Sequence, residues 1–221
     1  MKIKKIIIAI MLIVVSINVG AQTKENEISE RKIGQASGIN VSVTPLGGAR
    51  LSIHNGDYVN HYDFRSLFSV EISKEGALGS MNSLIYLLYS HAKMDDFKRG
   101  IESPNLVPND DDTYNSISLG FTFGQTLNPY GRIKFPIFIG PVLAYEKFGP
   151  IHNLTINMLG KVRMKYFITP KIGIFIGATA RYGGGYKKPE KYGVETKEAG
   201  DKLSVTTLQY GLETGLSIGI N

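Results

Sequence analysis

From residue 115 to 127 the chain reads NSISLGFTFGQTL, placing Ile117, Leu119, Phe121, Phe123 and Leu127 on one face and Ser116, Ser118, Gly120, Thr122, Gly124 and Thr126 on the other. An alternation of period two over a dozen residues fits a strand with two unlike faces, whereas a helix would scatter the same apolar set around its axis. The pattern recurs. Leu154, Ile156, Met158, Val162, Met164 and Tyr166 oppose Thr155, Asn157, Lys161, Arg163 and Lys165. Ile172, Ile174, Ile176, Ala178 and Ala180 oppose Gly173, Phe175, Gly177, Thr179 and Arg181, and the terminal LQYGLETGLSIGIN repeats the scheme. With residues 132–146 and three less regular stretches, about 38–54, 57–73 and 78–92, the count reaches eight strands, and helical spacing is scarcely seen. Pro45 suggests a bend or bulge in the first strand. Leu203 and Val205 fall out of step with the last, which implies a bulge near Thr206 and Thr207.

The connections alternate in length. KEGA at 74–77, NPYG at 128–131 and TPK at 169–171 read as tight turns. Between them lie Asn55-Gly56, the long segment 93–112, a short one at Gly149-Pro150, and the long segment 183–202. If the short turns share one end of a closed sheet, both long loops fall at the other. The expected fold is therefore all-β, an eight-stranded antiparallel up-and-down transmembrane β-barrel. Strands of a dozen or more residues exceed the ~5–6 of soluble sheets and cover the ~9–11 needed to cross a bilayer. The alternative is a secreted lipocalin-like ligand-binding barrel, whose apolar faces turn inward and whose outer faces carry Lys, Glu and Asp. The polar faces of the strands at Ser116 and Leu208 carry mostly Ser, Thr and Gly, which suits a narrow interior. Aromatic residues gather near both strand ends, as interfacial girdles would: Tyr58, Tyr62, Phe64, Tyr89, Tyr114, Tyr145, Phe148, Tyr182 and Tyr186 toward the long loops, Tyr130, Tyr166 and Phe167 toward the turns.

The first residues, MKIKKIIIAIMLIVVSINVGAQ, have a basic start, an apolar run and small residues before Gln22, the layout of a secretory signal. The division that follows is 1–21 signal peptide, 22–35 periplasmic tail and 36–221 barrel domain. The net charge of +6 falls to +3 once the three signal lysines are removed, which calls for no nucleic acid. The chain has no cysteine, so thiol nucleophiles, Cys-based zinc sites and a lipidated cysteine are excluded.

Signal, strand count and loop asymmetry together resemble the small eight-stranded bacterial outer-membrane barrels, the OmpA-domain, OmpX and OmpW-like group, over about residues 36–221. The resemblance implies a location in the cell outer membrane, with outer-membrane lipid and the barrel-assembly machinery as partners. The aromatic final residue frequent in that group is replaced here by Ile220-Asn221.

Phased this way, Arg50, Arg65, Arg132, Lys134, Lys161, Arg163, Lys165, Lys171 and Arg181 point inward, against Glu71, Glu146 and Glu213. Two readings follow. One is a narrow anion-preferring pore with Lys161, Arg163, Lys165 and Arg181 as lumen anion contacts; the other is a packed ion network, because eight strands enclose little more than their own side chains. No catalytic, cofactor or metal residues are expected, and no cofactor. His54, His61, His91 and His152 all fall near the long-loop rim, His54 phased inward and His61 and His91 outward, which opposes a convergent site. Asp110, Asp111 and Asp112 lack the alternate spacing of a calcium loop, and Gly183 to Gly185 lack the Lys-Ser/Thr of a phosphate loop. The expected function is non-enzymatic, a structural or interaction role in which segments 93–112 and 183–202 meet surface polysaccharide or a protein.

Overall fold

The computed structural model describes residues 37–55, 58–78, 81–94, 96–98, 113–128, 131–149, 151–187 and 203–220. The proposed signal and tail (1–35), most of 93–112 and the greater part of 183–202 lie outside the described residues. Ten strand segments follow in chain order: β1 Gly38–Asn55, β2 Tyr58–Phe64, β3 Phe68–Leu78, β4 Met81–Lys93, β5 Asp96–Lys98, β6 Thr113–Leu127, β7 Ile133–Phe148, β8 Ile151–Phe167, β9 Ile172–Lys187 and β10 Leu203–Gly219.

Eight of them close a barrel. β1 pairs with β3, then β4, β6, β7, β8, β9 and β10 follow in order, and β10 returns to β1 from Gly38↔Gly219 to His54↔Ser204, all antiparallel. β2 continues β3 in the same register against β1, and β5 continues β4 in the same register against β2. The ten segments are thus eight barrel strands, two of them interrupted, at residues 65–67 and 94–95.

The faces of this sheet are opposite to those of a soluble barrel. Ile85, Leu87, Ile117, Leu119, Ile137, Ile139, Leu143, Ile156, Met158, Ile174, Ile176, Leu212 and Leu216 are exposed on the outside. Asn40, Ser42, Ser73, Ser116, Ser118, Thr122, Thr155, Asn157 and Ser217 are buried within. The lipocalin-like alternative, which needs the reverse, fails on this point.

Four details differ from the sequence expectation. β3 runs through the segment read as the KEGA turn and ends at Leu78, so Glu75 is a strand residue facing inward. No bulge lies at Thr206 or Thr207, since β10 keeps one offset against β9 over its whole length. The bulge expected at Pro45 is present, between Val43 and Leu46, where the register of β1 against β10 shifts, and its effect on the strand beyond it is what differs. It inverts the wall: inward residues are Asn40, Ser42 and Thr44 before it, and Ala49, Leu51 and Ile53 after it. The break at 65–67 inverts the neighbouring strand at the same level, from Glu71 and Ser69 inward on β3 to Phe64 and Tyr62 inward on β2. Arg50 therefore faces outward, and Arg65, Arg132 and Lys171 are exposed at the break or at turns instead of lining the lumen. Finally, Tyr62, Phe64, Tyr114 and Phe148 do not form a girdle. They stack inside, 4.7 to 5.4 Å between ring centroids, with Leu51, Ile53, Leu67, Ala92 and Val205. Phe167 at the short-turn end is buried as well. Val205 looks out of step in the sequence because the interior at that level is apolar.

Candidate functional site

The interior holds nine buried charges among the described residues, the cations Lys134, Lys161, Arg163, Lys165 and Arg181 and the carboxylates Glu71, Glu75, Glu146 and Glu213. An unpaired ion in so dry a space would cost several kcal/mol. The pairing is extensive. Arg163, fully buried, donates from Nε to Glu213 Oε1 at 2.6 Å and from Nη2 to Glu71 Oε1 at 2.6 Å and Glu213 Oε2 at 3.1 Å. Lys161 Nζ donates to Glu213 Oε2 at 2.9 Å and to Glu71. Lys165 Nζ donates to Glu75, to Asn40 Oδ1 at 2.8 Å and to Ser217 Oγ at 3.4 Å. One turn of the network higher, Arg181 Nη2 reaches Glu146 Oε1 at 3.0 Å, and Nη1 donates to Ser118. Tyr114 and Thr207 hydroxyls complete the Glu146 carboxylate at 2.8 and 2.7 Å.

The glycines of the polar faces are part of this arrangement. A Cβ at Gly120 would lie 2.2 Å from the Tyr86 ring, and one at Gly215 would lie 2.7 Å from the Phe175 ring. Each glycine thus leaves room for an aromatic side chain to lie against the wall. Those two rings then sit beneath cations, Lys161 Nζ 5.5 Å from the Tyr86 centroid and the Arg163 guanidinium 4.6 Å from that of Phe175.

All four candidate lumen residues, Lys161, Arg163, Lys165 and Arg181, are brought into the interior, and each is held by a carboxylate. Glu75, the partner of Lys165, was missed because its neighbours Lys74 and Gly76 read as a turn. Between the two ion clusters a void of about 20 Å³ is lined by residues that include Lys161, Thr179, Arg181 and Gln209. That is room for about one water. Above it the aromatic cluster covers the long-loop end.

Lipid-compatible aliphatics outside, paired ions inside and no free sheet edge around the closed barrel leave one environment for the exterior. The chain is an outer-membrane-type β-barrel. Its exposed apolar surface encircles the molecule and far exceeds the few hundred Å² that soluble monomers tolerate, while strands of 15 to 18 residues in β1, β6, β7, β8, β9 and β10 are long enough to cross a bilayer at a tilt. Closed barrels of this kind belong to bacterial outer membranes.

The rim histidines do not converge. His54, His61, His91 and His152 stand on β1, β2, β4 and β8. They contact Thr206 Oγ1 (3.4 Å), Ser52 Oγ (2.8 Å), Asn115 Oδ1 (2.9 Å) and the Tyr145 hydroxyl (2.6 Å) respectively. His54 lies on the outward side of β1, not the inward side expected, because the Pro45 bulge inverts the strand below it. Asp63 engages Arg50 through both oxygens, at 2.6 and 3.0 Å. Among the described residues no group of three or more His, Cys, Asp or Glu is arranged to hold a metal.

No protein-family model and no curated protein matches the chain. Several solved structures are similar to it. The barrel is similar to the outer membrane protein OprG from Pseudomonas aeruginosa, at 9% identity over 86% of this chain and 100% of that one, TM-score 0.48. It is similar to Neisserial surface protein A at 15% identity over 84% and 99%, TM-score 0.46, and to the outer membrane protease OmpT from Escherichia coli at 7% identity over 88% and 99%, TM-score 0.40. At these identities and TM-scores the likeness carries no argument of its own, and the fold rests on the strand pairing described above.

Proposed function

We propose that this protein is a closed, non-conducting and non-enzymatic outer-membrane barrel, a rigid anchor that presents its long loops to the cell exterior. The observation that carries this reading is the neutralised interior. Lys161, Arg163, Lys165 and Arg181 already hold carboxylates, so a permeating anion would have to displace Glu71, Glu75, Glu146 or Glu213 to gain a contact. The non-enzymatic part is supported by the spread of the rim histidines over separate strands and by the engagement of Asp63 with Arg50. Segments 93–112 and 183–202 are the contact surface in this reading, with surface polysaccharide or a protein as partner.

Planar-bilayer recording of the purified full chain tests it. No unitary conductance is expected, and none from Arg181→Gln. A steady anion-selective current reduced by Lys161→Glu and Arg163→Glu would replace the anchor with the narrow anion-preferring pore.

A further inference from the structure

The outer wall formed by β4, β6, β7 and β8 is layered, and the strand register fixes the layers. Leu87, Leu119, Leu143 and Ile156 are paired in one row across the four strands. The next row toward the long-loop end is Tyr89, Ile117, Tyr145 and Leu154, and the next is His91, Asn115, Lys147 and His152, with Lys93 opposite Thr113 above it. Aliphatic, then aromatic, then basic is the order met on leaving hydrocarbon for a lipid headgroup layer.

Charge on this wall has one sign. Among the described outward positions of β4, β6, β7 and β8 the formal charges are Lys93 and Lys147, both exposed and both in the top rows, and none is a carboxylate. The polar row is tied together from below. The Tyr89 hydroxyl donates to Asn115 Oδ1 at 3.0 Å, where His91 Nδ1 also bonds at 2.9 Å, and the Tyr145 hydroxyl lies 2.6 Å from His152 Nδ1. Below these rows the wall is dented. A concavity of about 450 Å³ is lined by Ile85, Leu119, Phe121, Pro141, Leu143 and Ile156 among others, where the short Pro141 ring stands between longer side chains.

We propose that this wall binds one phosphate-bearing lipid of the surrounding leaflet. Its phosphate is held by Lys93 and Lys147 beside the His91–His152 row, and one of its acyl chains lies in the dent at Pro141. The inference rests on the membrane-spanning reading but not on the absence of conductance, so the bilayer recording above and the test below fail independently. Charge complementarity selects the occupant: two ammonium groups at headgroup depth favour an anionic lipid over a zwitterionic one, and the dent favours a lipid over a free anion. Asp95 follows β4 and the aspartates at 110–112 precede β6 in sequence, outside the described residues, so the full chain is the species to assay.

Native mass spectrometry of that chain, released from micelles containing equal phosphatidylglycerol and phosphatidylcholine, reads the site directly. One retained phosphatidylglycerol per barrel is expected, favoured about tenfold or more over phosphatidylcholine. The Lys93→Gln/Lys147→Gln variant should lose that preference. Lys74→Gln, which removes an outward lysine near the opposite end, should keep it. Pro141→Phe should fill the dent and lower retention of the bound lipid, and inorganic phosphate should not displace it. The proposal is overturned if the double variant retains phosphatidylglycerol like the parent, if Lys74→Gln loses it equally, or if inorganic phosphate competes it away. Unchanged heat-modifiable gel mobility in each variant shows that the barrel is folded when it is read.

Discussion

Glu213 takes Arg163 on one oxygen and Lys161 and Arg163 on the other, and Glu71 closes the same square from across the lumen. Replacing it by Gln keeps the shape and leaves two buried cations sharing one carboxylate. Glu213→Gln is expected to destabilise the barrel by about 3–5 kcal/mol, the cost of breaking a buried pair from one side, measured by urea unfolding of protein folded into lipid vesicles. Removing both members of a pair is different. Lys165→Met with Glu75→Leu should cost less than Glu75→Leu alone, because the double change strands only Lys134, which also faces the Glu75 carboxylate, and not Lys165 as well. The glycines carry a comparable constraint. Gly120→Val drives a side chain into the Tyr86 ring, which cannot retreat without leaving Lys161, and a loss of about 1–3 kcal/mol is expected in the same assay.

At the scale of the element, the Pro45 bulge and the break at 65–67 act as a pair, because each inverts its strand at the same height of the wall. Inserting one alanine after Gly47 would force Arg50, Ser52 and His54 into the space of Leu51 and Ile53, against the rings of Tyr62 and Phe148. The insertion is expected to abolish the fast-migrating unboiled form on gels, whereas the parent keeps it until heated. The same pair explains what was legible in the sequence. β6, β8 and β9, and β10 from Leu208 onward, alternate without interruption, so their faces, and with them the inward direction of Lys161, Arg163, Lys165 and Arg181, follow from period two alone. β1, β2 and β3 were phased as if continuous. That carries Arg50 and Arg65 into the lumen, whereas they lie across the inversions from the inward Asn40 and Glu71. Glu75 escapes for a different reason: Lys-Glu-Gly-Ala has turn composition, and only the cross-strand pairings with Gly38 and Leu84 show it to be strand. A lumen of nine cations and three acids by sequence becomes five and four among the described residues, which changes an anion-attracting interior into a nearly matched one. The aromatic cluster was unreadable because an inward aromatic at a strand end and a girdle aromatic differ only in parity.

At the scale of the whole molecule, the reversed faces give a test that needs no ligand. The chain lacks cysteine, so a single introduced thiol is a clean reporter. Ile156→Cys, on the outside, should react with a lipid-dissolved maleimide, and Thr155→Cys, one residue away and fully buried, should not until the barrel is boiled. Equal labelling at both sites would contradict the closed, packed interior. The ion pairs have a bearing on how such an object can come into being. Lys161, Arg163 and Lys165 all stand on β8, yet their carboxylates stand on β3 and β10, neither of which adjoins β8 in the sheet. No nascent hairpin can satisfy them. These three ammonium and guanidinium groups must stay hydrated until the ribbon has curled far enough for its first and last edges to meet, so the seam between β1 and β10 is also the moment at which the molecule becomes dry. A chain arrested one strand short would carry a wet, positively charged stripe, and would sit poorly in hydrocarbon however many of its other strands had formed.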